Sequence, residues 1–391
     1  MEPDFAPLDA YLAETDLDGY LLDAGSSLSD QLYLSGLDGA DPFVTLYTPS
    51  ELALLTSTLE YSRARSESRA DEVRRFGDYG FAEKRSQHDP ETARAMVIDE
   101  FLSEFAVESV GTNRRFPLFT ADALRDRDYR VVPDLQDVLQ EIRARKTPEE
   151  IANVHDAQRA NERAMAAAEE MLADSTVAED DRLVLDGETL TSERVKAAIE
   201  RTLLDDGYAL DETIVASGPP GADPHNRGSG PIAAHEPIII DIFPRSKTTR
   251  YHGDMTRTFL VGEPDEQVQE FFELTAEAKA AALEALEPGV TGEDVHGAAC
   301  EVYETAGYPT LRTDETTEAG FIHSTGHGVG LDVHEDPRIG TDGDELDAGH
   351  VVTIEPGLYD PAVGGVRIED LVVVTEDGYE NLTEYHERLV V

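Results

Sequence analysis

The first part of the chain alternates between hydrophobic patterns typical of strands and of helices. DGYLLDAG (residues 18–25) and PFVTLYT (residues 42–48) are short, β-prone and bounded by turn residues, so they predict strands. Residues 51–64 and 93–105 carry longer apolar patterns that predict helices. Residues 62–91 are rich in acids and arginines without clear periodicity, which predicts a solvated helix face or loop. Together these patterns indicate an α/β domain over residues 1–146.

A second domain is predicted from residue 147 to residue 391. In RARKTPEEI, Thr147 is a helix N-cap, Pro148 fits the first turn and Glu150 completes a capping box, so a long helix should run to about Ala173. Further helices are predicted after Thr191 and over residues 271–289 and 291–309, with β-prone runs and glycine turns between and after them. Because the strands alternate with covering helices, the pattern predicts an α+β domain with a curved, largely antiparallel sheet.

The charge of the chain is extreme. It carries 82 acidic and 32 basic residues, a formal net charge of −50, and only five of the basic residues are lysines. Such a surface repels nucleic acids and anionic membranes, so neither is expected as a partner. We interpret the composition as an adaptation to concentrated salt; the alternative is an acidic protein from ordinary conditions.

The number of cysteines and the length of the apolar runs exclude further classes of protein and of metal site. Cys300 is the only cysteine, which excludes an intramolecular disulfide and a cysteine-based metal site, and it should pack in a helix. The N-terminal residues lack a basic region followed by an apolar run, and no run of eighteen apolar residues occurs. We therefore expect a cytoplasmic protein.

Four acids interrupt segments that otherwise look like buried strands. They are Asp241 in IIIDIF, Asp254 before MTRTF, Glu355 after HVVTI and Glu369 in VRIEDLVVV. An ionised carboxylate withdrawn from water costs about several kcal/mol unless a cation meets it. For a single acid the alternative is an exposed strand end, but the pattern recurs four times. FIHSTGHGVGLDVHE (residues 321–335) adds histidines between the two pairs, and imidazole with carboxylates suits a dinuclear metal site.

In this order and spacing, the motifs resemble those of the prolidase and Xaa-Pro aminopeptidase family, metallopeptidases of the pita-bread fold. The resemblance covers residues 151–391, through IIIDIF, GDMTRTF, HSTGHGVGLDVHE, TIEPGLY and VRIEDLVVV. More loosely, LYLSGLDG (residues 32–39) and the junction before Ile151 resemble the creatinase-type N-terminal domain. No single motif is sufficient, but five in order are highly specific.

The resemblance implies a ligand set for two divalent ions. Asp241 would chelate one ion, while Asp254 and Glu369 would bridge both. His327 and Glu355 would complete the other ion. An oxygen-rich set with one imidazole favours Mn²⁺ first and Co²⁺ next, with Zn²⁺ as an alternative.

The resemblance also implies roles in catalysis and substrate binding. Glu355 would take a proton from the attacking water and return it. His334 would donate a hydrogen bond to the scissile carbonyl oxygen, and His225 would contact the substrate as a second catalytic histidine. Three residues are assigned to substrate binding: His323, which walls the proline pocket, Tyr359 and Arg367. For each of these residues the alternative is a structural or surface position, and His252, His296 and His350 are expected to be structural.

The expected activity is hydrolysis of the bond between an N-terminal residue and proline, in longer peptides or in dipeptides. The substrates would be small peptides with proline in the second position, and the protein is expected to be a homodimer. Two alternatives keep the fold: a metal-independent, creatinase-type C–N hydrolase and a non-catalytic binding module. The chain departs from the family pattern after Asp241, in residues 243–253, and in an insertion at residues 175–188, so the entry of substrates can differ.

Overall fold

The computed structural model describes residues 3–391 and consists of two compact units, one ending at Arg143 and the other running from Ala144 to Val391. The boundary predicted from the sequence, between residues 146 and 147, lies close to this division. No helix of residues 3–391 combines the length and the apolar character that crossing a membrane requires. Each unit is built around its own hydrophobic core.

The first unit is an α/β structure around one mixed, six-stranded sheet with the strand order β4-β3-β2-β1-β5-β6. The first three strands in sequence pair antiparallel, whereas β4, β5 and β6 pair parallel to their neighbours. The strands are β1 Gly19–Ala24, β2 Phe43–Thr48, β3 Glu51–Thr56, β4 Glu72–Arg75, β5 Ser109–Thr112 and β6 Arg130–Pro133. The helices are α1 Ala6–Thr15, α2 Ser29–Ser35, α3 Tyr61–Glu67, α4 Phe81–Gln87, α5 Pro90–Glu104, α6 Leu118–Arg125 and α7 Val138–Ala144, with a 3₁₀ turn at Phe76–Tyr79.

One prediction in this unit is wrong. Residues 51–64 do not form a single helix, because β3 occupies Glu51–Thr56 and the helix α3 begins only at Tyr61. β3 lies between β2 and β4, and Ala53, Leu54 and Leu55 are fully buried. A strand covered on both faces has a continuous apolar run, which periodicity alone does not distinguish from a buried helix. The polar segment after it also contains a strand, β4.

The second unit contains four helices; the caps of the first two act as predicted, whereas the third helix begins at Glu266, before the predicted start at residue 271. Thr147 caps α8 (Pro148–Ala173) and forms the capping box with Glu150. Thr191 caps α9 (Ser192–Asp205), whose residues Val195, Ile199 and Leu203 are buried. The remaining helices are α10 Glu266–Ala285 and α11 Gly292–Thr305, and α11 buries Cys300.

Two antiparallel sheets carry the predicted acids. A three-stranded sheet has the order β11-β12-β14, and a five-stranded sheet has the order β16-β15-β17-β20-β21. Their strands are β11 Thr213–Ser217, β12 Ile238–Ile242, β14 Met255–Phe259, β15 Gly326–Gly328, β16 Glu335–Ile339, β17 Val351–Ile354, β20 Asp370–Thr375 and β21 Gly378–Asn381. Short strands complete the unit: β7 Thr176–Val177, β8 Leu183–Leu185, β9 Glu188–Thr189, β10 Tyr208–Ala209, β13 Arg245–Ser246, β18 Gly357–Asp360 and β19 Gly364–Arg367, with a 3₁₀ turn at Pro219–Ala222. This largely antiparallel α+β architecture confirms the predicted fold class.

Buried threonines of β14 connect the three-stranded sheet to β19 and to the residue before β20. The Thr258 hydroxyl donates to the carbonyl of Arg367 at 2.9 Å and accepts from its backbone N–H at 3.0 Å. Beside it, the backbone N–H of Glu369 donates to the carbonyl of Thr256 at 3.1 Å. The strand ends of both sheets are therefore held together at one place, where the acids lie.

Candidate metal centre

Asp241 and Asp254 come from neighbouring strands of the three-stranded sheet. Asp241 lies within β12, directly opposite Thr256, and Asp254 immediately precedes β14. The Oδ2 atom of Asp241 forms an ion pair with Nη2 of Arg367 at 2.7 Å. Its Oδ1 atom is buried without a hydrogen-bond donor among residues 3–391. A buried carboxylate oxygen in this state fits a position for a cation.

His327 reaches the same place from the five-stranded sheet. Its Nε2 atom lies 3.1 Å from Oε1 of Glu355 and 3.8 Å from Oδ2 of Asp254. Its Nδ1 atom faces the carbonyl of Gly328 at 3.1 Å, so Nδ1 carries a proton and Nε2 is directed at the carboxylates. β15 approaches β17 closely here, because a Cβ atom on Gly326 would lie 1.9 Å from the carbonyl oxygen of Thr353.

Glu355 lies at a strand end, as the run HVVTI predicted, whereas Glu369 lies between two strands and not inside one as the sequence predicted. Glu355 follows β17, and its Oε1 atom accepts from the Thr353 hydroxyl at 3.1 Å. Glu369 lies between β19 and β20, is 1% exposed, and its Oε2 atom accepts from the Thr256 hydroxyl at 2.8 Å. Glu355 thus lies beside His327, and Glu369 lies beside Asp254 and His327.

The buried carboxylates of the cluster are costly to ionise together unless cations bind to them. Burial, together with Glu369 and the other carboxylates, raises the pKa of Asp254 well above its ordinary value, and burial and Glu355 do the same for the pKa of Glu369. Burial also raises the pKa of Asp241, although Arg367 opposes it. Burial would raise the pKa of Glu355 too, but the hydrogen bond and charge of His327 lower it to about 2.

The donor set fits divalent metal ions. Asp254, His327 and Glu369 each offer a ligand atom, and these atoms lie within 4.8 Å of one another. Asp241 adds its partnerless Oδ1 atom, and Glu355 lies beside His327. Carboxylate oxygens with one imidazole suit hard to intermediate divalent ions. The five predicted ligands are thus brought together by the fold.

Arg367, Tyr359 and His323 form a connected chain behind Asp241. Nη1 of Arg367 donates to the Tyr359 hydroxyl at 2.9 Å, and that hydroxyl lies 2.9 Å from Nε2 of His323. Nδ1 of His323 faces the carbonyl of Ser324 and must be the donor there, so Nε2 accepts from Tyr359. Burial lowers the pKa of His323 to about 4, so its ring is neutral. Arg367 and Tyr359 are buried and hydrogen-bonded to protein groups, which points to a role in orienting Asp241 and His323.

The two remaining predicted histidines lie on the outer side of the cluster. The exposed ring of His334 is 4.2 Å from that of His327 between centroids, at an interplanar angle of 81°. Partial burial lowers the pKa of His334, and the nearby rings of His327 and His225 lower it further. His225 is exposed in the turn after Pro219–Ala222. Both imidazoles are thus accessible to a bound substrate.

Sequence reasoning missed two arginines near the centre. Arg257 is 2% exposed, donates to the carbonyl of Glu369 and pairs with Asp370 at 2.8 Å. Arg257 could have been identified from the sequence, because a charged side chain within the β-prone run MTRTF is as unusual as the acids in the other strands. Arg338 lies directly opposite His327 in the β15-β16 pair. No sequence signal pointed to Arg338, because only the pairing of β15 with β16 places it beside His327.

Known protein families match both parts of the chain. The model for the family "Metallopeptidase family M24" matches residues 152–376, and the model "Creatinase/Prolidase N-terminal domain" matches residues 6–145. These matches confirm the resemblance drawn from the motifs.

Individual relatives agree with the family models. The chain is 42% identical over 180 residues to a Xaa-Pro dipeptidase of Pyrococcus furiosus, covering 46% of the chain and 49% of that relative. It spans about half the length of several curated relatives that it matches. A Xaa-Pro dipeptidase of Pyrococcus horikoshii is 30% identical over 363 residues, 92% of this chain and 91% of the relative. The crystal structure of the prolidase from Pyrococcus horikoshii OT3 superposes with a TM-score of 0.79 at 27% identity, covering 98% of both chains.

Proposed function

The chain belongs to metallopeptidase family M24, and from this premise we propose that it hydrolyses the peptide bond between an N-terminal residue and proline. The observation that carries the proposal is the convergence of Asp241, Asp254, His327, Glu355 and Glu369 on one buried place. Relatives named as Xaa-Pro dipeptidases support the choice of substrate. Proline requires a dedicated site because its tertiary amide lacks the N–H that other peptide bonds offer.

We assign the five converging residues as ligands of two divalent ions, with Mn²⁺ as the expected metal. When bound, such ions polarise the scissile carbonyl and acidify water. Arg367 keeps Asp241 oriented through its 2.7 Å ion pair, and the two threonine hydroxyls fix the rotamers of Glu355 and Glu369. The chain therefore holds its carboxylates in place from behind, as a preorganised site requires.

Two side chains supply the proton chemistry. Glu355 stays ionised near neutral pH, so a carboxylate oxygen can accept the proton of the attacking water and later return it to the leaving proline nitrogen. His334 is exposed beside His327 and can donate to the carbonyl oxygen as negative charge develops there. His225 and His323 would contact the remainder of the substrate.

Arg338 favours dipeptides among the Xaa-Pro substrates. Residues directly opposite in an antiparallel pair project on the same face, so Arg338 shares the face of His327. Its side chain is exposed, and no carboxylate of residues 3–391 forms an ion pair with it. In a Xaa-Pro dipeptide the free carboxylate follows the scissile bond directly. A guanidinium is well suited to bind it, because its planar donors match a carboxylate.

Hydrolysis of a Xaa-Pro dipeptide and of the matching Xaa-Pro-Ala tripeptide, in chelator and then in Mn²⁺, tests the proposal. We expect turnover only with metal, and a higher kcat/KM for the dipeptide. Arg338→Gln should remove the dipeptide preference, whereas Arg182→Gln, an exposed arginine paired with Asp180, should not. Full activity in metal-free protein, or metal binding without hydrolysis, would instead favour a creatinase-type hydrolase or a binding module. Sedimentation of the same sample tests the expected homodimer.

A further inference from the structure

We infer that the buried ion pair between Lys146 and Glu335 is a positioning element that holds His334 over the candidate metal centre. Nζ of Lys146 lies 2.6 Å from Oε1 of Glu335, and the two side chains are only 1% and 2% exposed. Lysine is rare in this chain, with five among 32 basic residues. The lysine ammonium is a compact charge on a flexible stem, which suits a buried position of this kind. The inference rests on the proposed function, in which His334 contacts the substrate.

His334 depends on its backbone for its position. Among residues 3–391, its ring packs against the ring of His327 and forms no hydrogen bond. Glu335 is the next residue and the first residue of β16. An imidazole without hydrogen bonds of its own stays in place only if the adjacent backbone is fixed. The carboxylate of Glu335 is the group that fixes it.

The loop before His334 is folded around that carboxylate. A Cβ atom on Gly330 would lie 2.2 Å from Oε1 of Glu335, so the carboxylate lies directly against the glycine backbone. Gly330 itself is held at both of its backbone groups. Its N–H donates to the carbonyl of Asp332 at 3.0 Å, and its carbonyl accepts from the N–H of His252 at 2.9 Å. Glu335 therefore ties residues 330–335 into one closed loop.

Lys146 is the fixed end of the pair. Its backbone N–H donates to the carbonyl of Gly349 at 2.9 Å, and the next residue, Thr147, begins the capping box of α8. The ammonium thus extends from the start of a 26-residue helix. A buried charge pair of this kind adds little to stability over an apolar pair, but it specifies one geometry. We assign that geometry to the loop that carries His334.

The test compares single and double variants of the pair. Lys146→Met and Glu335→Gln each remove one charge of the buried pair and should lower the melting temperature. The double variant removes both charges, so its melting temperature should recover while its kcat stays at least about 10-fold below wild type, with unchanged metal content. The matched control is Arg143→Met with Asp30→Asn, a pair at 2.8 Å in the first unit, which should leave kcat unchanged. A double variant with wild-type kcat would overturn the inference.

Two readouts separate positioning from general stability. In a His334→Ala background the double variant should cause no further loss of kcat, because both changes act through one residue; additive losses would contradict this. Amide hydrogen exchange of residues 328–335 in chelated protein should be faster in the double variant than in wild type, and unchanged exchange would refute the loop's dependence on the pair. The exchange measurement stands even if wild type does not cleave Xaa-Pro substrates, so failure of the proposed function is distinguishable.

Discussion

Replacing Asp254 by asparagine should stabilise the metal-free protein while it abolishes activity. Asp254 is 4% exposed and lies among three other carboxylates, and burial and Glu369 raise its pKa. A carboxyl whose pKa is higher in the folded than in the unfolded protein destabilises the fold at neutral pH, by about 1.4 kcal/mol per pH unit of difference. For a unit of this size, 1 kcal/mol corresponds to about 2–4 °C in melting temperature. Asp254→Asn should therefore melt above wild type in chelator at neutral pH, where the wild-type carboxylate is costly to ionise.

The same substitution should remove the response to metal. For wild type, free metal at about 100 times Kd contributes about 2.7 kcal/mol of stabilisation. That energy corresponds to a rise of about 5–11 °C in melting temperature. Asp254→Asn loses a ligand oxygen assigned to both ions, so its melting temperature should change little when Mn²⁺ is added.

Calorimetry of both proteins, in chelator and in Mn²⁺, measures the two effects. Glu380→Gln is the matched control, because Glu380 is an exposed acid on β21. Its removal lowers the net negative charge by the same amount. If the control gains as much stability as Asp254→Asn in chelator, the gain reflects net charge. If Asp254→Asn melts below wild type in chelator and still responds fully to Mn²⁺, the assignment of the cluster is refuted.

Two further predictions follow from the same site and from the charge of the chain. His334→Ala should lower kcat by about 100-fold with unchanged metal content, because the loss of one oxyanion donor costs about 3 kcal/mol. His327→Ala should instead lose metal. Equal metal loss in both variants would contradict the assignment. Melting temperature and Xaa-Pro hydrolysis should both rise from 0.1 to about 3 M KCl. The Debye length falls from about 10 Å at 0.1 M to about 3 Å at 1 M, so salt screens the repulsion within a chain of net charge −50. Equal stability and activity in dilute salt would show that the composition is not a salt adaptation.

Local chemistry allowed much of the second unit to be predicted from the sequence. The capping box of Thr147 and Glu150 involves only residues three apart, so its helix start is visible in the sequence. The acids were equally visible, because a carboxylate in an apolar run needs a cation wherever the chain folds. By contrast, residues 51–64 were assigned wrongly, because β3 is buried on both faces only when distant parts of the chain, such as Val97 of α5 and Leu37, pack against it.

The tertiary structure alone decided how the site is held. Arg367 meets Asp241 across 126 positions of sequence, and Lys146 meets Glu335 across 189. The local sequence pattern does not identify these partners. It shows that a buried charge needs a counterion, but it does not show which residue supplies that counterion. The sequence by itself therefore determined the types of the candidate ligands and their order along the chain. Strand register and sheet contact decided which charges face one another, since those distances exist only once the sheets have paired.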